Sequence, residues 1–297
     1  MSDFVQQHAV KCSFNSSDSW IILSPIEQSI KNKIEAIGKP LKAWDIKIYR
    51  GVLTGYNEAF IISTAKRDEI LANCCTEDER TRTADLIRPI LRGRDIKRYG
   101  YTWADLWLIA TFPSRHYNID DFPAVKSYLL SIGKERLEQT GKTHILEGEK
   151  VKARKKTNNK WFETQDSISY WEDFSKPKIV WGNLNLRASY VMVEENCFVN
   201  APSPIIVPGS KYLLGILNSQ LADYYIRRLG VTRNGGYFEY KPMFVEKIPV
   251  PHDVDQDIKQ TMEKLIDKKD EDEIDKLVFS IYGLSSEEQE YITSLLS

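Results

Sequence analysis

Lys211-Tyr212-Leu213-Leu214-Gly215-Ile216-Leu217-Asn218-Ser219-Gln220-Leu221-Ala222-Asp223-Tyr224-Tyr225 is the most strongly patterned stretch of this 297-residue chain. Leu213, Leu214, Leu217, Leu221, Tyr224 and Tyr225 recur at the spacing that places apolar side chains on one stripe of a helix. Ser210 stands just before it, where a hydroxyl can accept a hydrogen bond from one of the first free N–H groups. The pattern predicts one helix over 210–229, ending near Gly230. So apolar a helix needs a layer to pack on, and the preceding sequence supplies strands. Lys178–Trp181, Tyr190–Val193 and Pro204–Val207 are short apolar runs. Further upstream Ile46, Ile48 and Val52 alternate around Lys47, Tyr49 and Arg50.

Working outward, Ala59–Ser63 reads as another strand, with Thr54–Glu58 as a turn before it, and Leu106–Phe112 as a buried strand. Ser24-Pro25-Ile26-Glu27 has the form of a capping box with proline at the first helical position. Ile26, Ile30 and Ile34 follow on one face, and Gly38 stops the run. Thr81–Leu91 reads as a short helix interrupted at Pro89. Pro123 starts a helix with Val125, Tyr128, Leu129 and Ile132 on one side. The polar stretch 140–159 reads as a long loop, and Glu246–Pro251 as extended. Beyond Pro251 the pattern is helical throughout: Val254–Lys268, Glu273–Tyr282, and a last helix capped by Ser285 or Ser286. The expected class is α+β: a mixed, mostly antiparallel sheet with packed helices, plus a small C-terminal helical appendage. The expected division is a helical connector over 1–44, a main domain over 45–251 and the appendage over 252–297.

Composition narrows the function. A hydrophobic content of 42%, with seven Trp and 15 Tyr, supports a real core and argues against disorder. The longest apolar runs, such as Leu106–Ala110, are too short to span a bilayer, and the N-terminus lacks a signal-peptide core. A cytoplasmic location without a membrane partner is expected. Cys12, Cys74, Cys75 and Cys197 form no CxxC pair, and only four His are present, so free thiols are expected and no metal site. The formal net charge is −1. From Pro251 onward 13 acidic and five basic residues give −8, which leaves +7 on residues 1–250. A basic body of this kind suits a polyanion.

The motifs of common catalysts are absent: there is no GxSxG, HExxH or P-loop. There is also no Gly-rich turn for a methyl donor and no proline pair for a flipped base. Glu147-Gly148-Glu149-Lys150 has the composition of a metal-nuclease site but lies in the predicted loop. No catalytic residue and no cofactor are therefore assigned to this chain.

Three basic segments are candidates for binding double-stranded DNA. The first, 88–99, has five basic residues and one acid, including Arg92, Arg94, Lys97 and Arg98, with Gly93 permitting close backbone approach. The second, 150–161, has six basic residues and no acid: it holds Lys152, Arg154, Lys155, Lys156 and Asn158 beside Trp161. The third contains Arg227, Arg228, Arg233 and Asn234. Arg50 joins these from the strand upstream. Lysines suit phosphates, whereas Arg forks and Asn amides suit base edges. Each segment also has a plainer reading: a solvated loop tied by internal salt bridges for the first, a polar loop for the second, and cations at a helix C-terminus for the third.

Six stretches, in order, carry a family resemblance. They are Lys47–Phe60 with its Arg50-Gly51-Val52-Leu53-Thr54-Gly55 centre, Arg88–Tyr99, Pro177-Lys178-Ile179, Leu213–Ser219, Ile248-Pro249-Val250-Pro251, and Glu273–Leu284. Together they resemble the TaqI-like C-terminal specificity domain of type IIG restriction–modification enzymes, from about Trp20 to Ile292. The resemblance implies a DNA target-recognition domain, similar to one recognition domain of a type I specificity subunit, with 210–229 as its structural helix. It implies partners too: an adenine-specific methyltransferase and a nuclease, using S-adenosylmethionine and Mg²⁺, which normally precede this part in one polypeptide. On that basis the chain is expected to be a fragment of a larger enzyme or a truncated gene product, with no enzymatic activity of its own. A protein-interaction scaffold and an enzyme of unrecognised class are the alternatives.

Overall fold

The computed structural model describes residues 23–146, 148–193, 196–229 and 232–296. Cys12, Glu147, Gly230 and residues 1–22 of the expected connector lie outside them. Four strands form an antiparallel sheet in the order Tyr190–Val193, Lys178–Trp181, Pro204–Val207, Lys47–Arg50. Because side chains alternate along a strand, this sheet serves two cores at once. Val180, Val191, Val193, Ile205 and Val207 point into one, and Ile179, Trp181, Tyr190 and Ile206 into the other. Burial on both faces explains why the first three of these strands read as continuous apolar runs, whereas the edge strand Lys47–Arg50 keeps Lys47 and Arg50 exposed.

The first core is closed by a second four-stranded sheet: Phe198–Val199, Ile87–Leu91, Leu106–Ile109 and Ile61–Ser63. Its first pair is parallel and the other two are antiparallel, so the architecture is α+β and mostly antiparallel, as expected. The helix Pro123–Ile132 covers it with Ala124, Val125 and Leu129. The two sheets meet at Gly51. Its N–H donates to Ser203 O at 2.9 Å, and that of Val52 donates to Val199 O at 2.7 Å.

Helices close the second core. The predicted helix over 210–229 is in fact two, Lys211–Asn218 and Gln220–Leu229. Ser219 is extended between them, and its hydroxyl accepts from Ala222 N at 3.2 Å, so it caps the second helix. Asn218 turns its amide onto the sheet, accepting from Tyr190 N and donating to Tyr190 O, both at 2.9 Å. The Asp275 carboxylate receives Gln220 N at 2.7 Å and Gln220 Nε2 at 2.9 Å. The helices Gln256–Lys268, Glu271–Ile281 and Ser286–Leu296 are therefore built into this core. Met262, Ile274, Val278 and Ile292 share it with Ile30, Ile34 and Leu41, so it draws on all three stretches of the expected division.

The helices Pro25–Ile37 and Ser286–Leu296 clasp each other. Pro25–Ile37 has the predicted capping box between Ser24 and Glu27. Ser285 caps the last helix in the same way with Glu288. Glu27 also accepts from Tyr291 OH at 2.8 Å and pairs with Arg228. Glu288 accepts from Ser29 Oγ and Lys33 Nζ, each at 2.7 Å. Burial pushes both carboxyls up, but these donors outweigh it and hold each down to about 2.

Three local readings are corrected. A helix spans Glu77–Leu86 rather than starting at Thr81, because Thr76 Oγ caps Glu79 N at 3.1 Å; Ile87–Leu91 is then a strand, with Pro89 in it. Asn57–Phe60 is a helical turn, leaving only Ile61–Ser63 as strand. The predicted loop 140–159 contains a hairpin, Thr143–Leu146 with Glu149–Lys152. Gly148 at φ 87° supplies a left-handed residue at its turn.

Two outcomes are expected. A Cβ on Gly51 would stand 2.5 Å from Val199 O and 2.7 Å from Ser203 O. Gly51→Ala should therefore cost about 1–3 kcal/mol in urea unfolding. Gly100→Ala, facing only Lys269 Nζ at 3.8 Å, should stay within about 0.5 kcal/mol of the parent. For the clasp, a depressed carboxylate contributes stability above its ordinary value of 4.5 that is lost as pH falls toward 2. The thermal midpoint should fall across that window, and the double variant Glu27→Gln, Glu288→Gln should show a shallower fall.

Candidate nucleic-acid interface

The second basic segment is organised around Arg154, which is 5% exposed. Its Nε donates to Leu137 O, one terminal nitrogen to Thr54 O and Glu163 O, and the other to Trp161 O, each at 2.8 Å. The guanidinium lies 5.0 Å from the Phe60 ring centroid. Burial lowers its pKa to about 10, which leaves it charged at neutral pH. Gln139 reinforces the loop: its Nε2 donates to Glu163 O at 3.0 Å and its Oε1 accepts from Thr157 at 2.8 Å. Asn159 Nδ2 donates to Gln165 O at 2.9 Å. The loop is thus ordered from within, while Lys152, Lys155, Lys156, Asn158 and Lys160 stand exposed on it.

The first segment divides in the same manner. Arg92 makes a bidentate pair with Asp95, at 3.0 and 2.8 Å, which raises its pKa and fixes the turn Gly93–Asp95. Arg98 is 10% exposed, donates to Ala188 O at 3.0 Å and pairs with Glu271 at 2.9 Å. Arg94 and Lys97 are exposed and form no ion pair among the described residues. Arg50 is exposed and lies 3.6 Å from Asp166. In the third segment Arg227 pairs with Asp223 at 3.0 Å and Arg228 with Glu27. Arg233 donates to Glu239 at 2.6 Å across the hairpin Thr232–Arg233 with Tyr237–Glu239, and Asn234 is exposed at its turn. These guanidiniums are therefore not equivalent. Arg92, Arg98 and Arg154 are consumed by the protein's own carboxylates and carbonyls.

Contacts link the segments. The loop around Arg154 reaches Arg50 through Asp166. Gly51, next to Arg50, bonds Ser203, whose hydroxyl lies against Gly93. Pro202 O accepts from Asn183 at 2.8 Å, and Asn183 O accepts from Tyr240 N beside the Arg233 hairpin.

Residues 88–250, which span all three basic segments, match the TaqI-like C-terminal specificity domain. This chain belongs to that family. The specificity domain is 26% identical over 298 residues to the type II methyltransferase M.BstVI of Geobacillus stearothermophilus, covering 95% of this chain and 47% of that protein. It is 20% identical to the type II methyltransferase M.PaeR7I of Pseudomonas aeruginosa, covering 93% of this chain and 45% of that protein. The chain thus spans about half the length of the curated relatives it matches. Two solved structures share the fold. The type IIL restriction–modification enzyme MmeI, solved in complex with DNA, gives a TM-score of 0.55 at 11% identity, covering 86% of this chain and 36% of its own. The type IIG restriction endonuclease BpuSI gives 0.56 at 14%, covering 91% and 32%. No helix among the described residues of the specificity domain is long and apolar enough to cross a membrane.

Lys142 and Arg187, both exposed, lie outside the three basic segments of the sequence. Lys142 immediately precedes the hairpin Thr143–Leu146 with Glu149–Lys152, whose strand alternation is the sequence signal for it. Removing the Arg154 guanidinium leaves four carbonyls to find new donors. Arg154→Ala should therefore lower stability by at least about 3 kcal/mol and raise amide exchange through 138–166. Lys155→Ala should leave both unchanged.

Proposed function

We propose that this chain reads the base sequence of double-stranded DNA as the specificity part of a type II restriction–modification enzyme of the IIG kind. The observation that carries this reading is the match of 88–250 to a specificity domain, with type II methyltransferases among its relatives. Catalysis falls to partner domains of the parent enzyme, an adenine-specific methyltransferase and a nuclease, which use S-adenosylmethionine and Mg²⁺ in the cytoplasm. The contribution of this chain is position and discrimination. Lys97, Lys152, Lys155 and Lys156 are exposed point charges suited to phosphates. Arg94, Asn158 and Asn234, with the surface guanidiniums of Arg50 and Arg233, present forks and amides suited to base edges.

Fluorescence anisotropy with duplex DNA at several salt concentrations tests this. Selected duplexes should bind more tightly than random ones, with a linear dependence of log affinity on log salt. Lys155→Ala and Lys156→Ala should each weaken all sequences alike and reduce the slope by roughly 0.9. Arg94→Ala or Asn158→Ala should cost about 1–3 kcal/mol on the preferred site and much less elsewhere. Absence of any salt-dependent duplex binding refutes the proposal.

A further inference from the structure

The hairpin Thr143–Leu146 with Glu149–Lys152 has two unlike faces. Its register pairs Thr143 with Lys152, His144 with Val151, Ile145 with Lys150, and Leu146 with Glu149. Alternation therefore places His144, Leu146, Glu149 and Val151 on one side and Thr143, Ile145, Lys150 and Lys152 on the other. The first side leans on the body: Val151 is buried, and His144, half-buried, lies 3.8 Å from Glu138. The second side is open, with all four residues exposed and no acid among them. At its centre Ile145 is 72% exposed, more than any other exposed large apolar residue described. Ile145 stands directly across from Lys150 and diagonal to Lys152; an apolar side chain so placed gains nothing from water and is not part of either core.

The base of this hairpin is fixed. Ala153 N donates to Lys142 O at 2.8 Å and Gly141 N to Arg154 O at 2.9 Å, while Arg154 N donates to Glu138 O at 2.9 Å. The strand thus runs straight into the residue whose guanidinium binds four carbonyls. A two-stranded ribbon held at one end and free at the other fits the width of a DNA major groove. Lysines on its open face suit the phosphates along the groove, and an apolar side chain beside them on the facing strand meets the one apolar feature of the groove, the thymine 5-methyl group.

We propose that the open face of the hairpin Thr143–Lys152 enters the major groove, where Ile145 discriminates a thymine through its 5-methyl group and Lys150 and Lys152 hold the flanking phosphates. This rests on the DNA-reading function proposed above and names a residue that determines its specificity.

The test selects a preferred duplex with the full chain and compares it with the same duplex carrying deoxyuridine for each thymidine in turn. One such replacement should weaken the parent about fourfold, the worth of one buried methyl. Ile145→Ala should weaken the thymidine duplex to a similar extent and show no further loss on that deoxyuridine duplex. Lys150→Ala should weaken both duplexes equally and lower the salt slope. Exposure at 145 and 150 keeps the thermal midpoint of these variants at the parent value, which is measured alongside. If the parent binds a selected duplex but Ile145→Ala binds it equally well, or if the deoxyuridine loss persists in Ile145→Ala, the role of Ile145 is overturned while DNA reading stands. If the parent binds no duplex, both proposals fall.

Discussion

Everything in this fold hangs on one sheet whose inner strands, Lys178–Trp181 and Pro204–Val207, are buried on both faces. Ile179 and Trp181 point to one core and Val180 to the other, and Ile206 opposes Ile205 and Val207 in the same way. Each of these strands must be apolar on both sides, so none can present a polar surface to a ligand. Exposed cations are pushed out to strand ends, turns and the hairpin. The sheet also fixes their relative placement. Gly51 leaves the strand Lys47–Arg50 and immediately bonds Ser203, so the ends of several basic segments are tied to the rim of one rigid layer. Precision at such a rim comes from the elements beneath it rather than from the loops themselves.

The acidic tail has a share in that rigidity. Asp275 satisfies the start of the helix Gln220–Leu229, Glu271 holds Arg98, and Glu288 ties down Lys33 and Ser29. Buried carboxylates with several donors are structural groups, whatever their sum of charge. The split between a basic body and an acidic tail is therefore partly internal: some of the tail's charge is matched by cations of the body within the fold. What remains outside is a set of lysines with few protein partners.

Much of this was legible in the sequence where the cause is local. The capping box at Ser24 is a four-residue pattern, and three strands of the central sheet are apolar runs whose burial on both faces needs no long-range information. The errors arise where a distant partner decides. Leu213–Tyr225 has an unbroken helical stripe, yet Ser219 breaks it, because Asn218 is drawn to Tyr190 and Asp275 caps the next helix. Glu77–Leu91 changes from helix to strand at Ile87 because Trp107 and Ile109 lie ready to pair. The interface divides along the same line. Exposed lysines could be read from composition, since a flexible ammonium in a polar stretch seldom finds a fixed partner. Whether a guanidinium is free could not, because it takes the folded loop to aim four carbonyls at Arg154, one of them that of Thr54, a hundred residues away in the chain.

Arg154 also separates what this protein can change from what it must keep. Its four carbonyl partners are backbone groups, present whatever side chain stands at Leu137, Thr54, Glu163 or Trp161. The neighbouring positions 155, 156 and 158 carry no such duty and face outward. Substitutions there leave the loop's shape intact, so the chemistry of this surface can drift without a passage through misfolded intermediates.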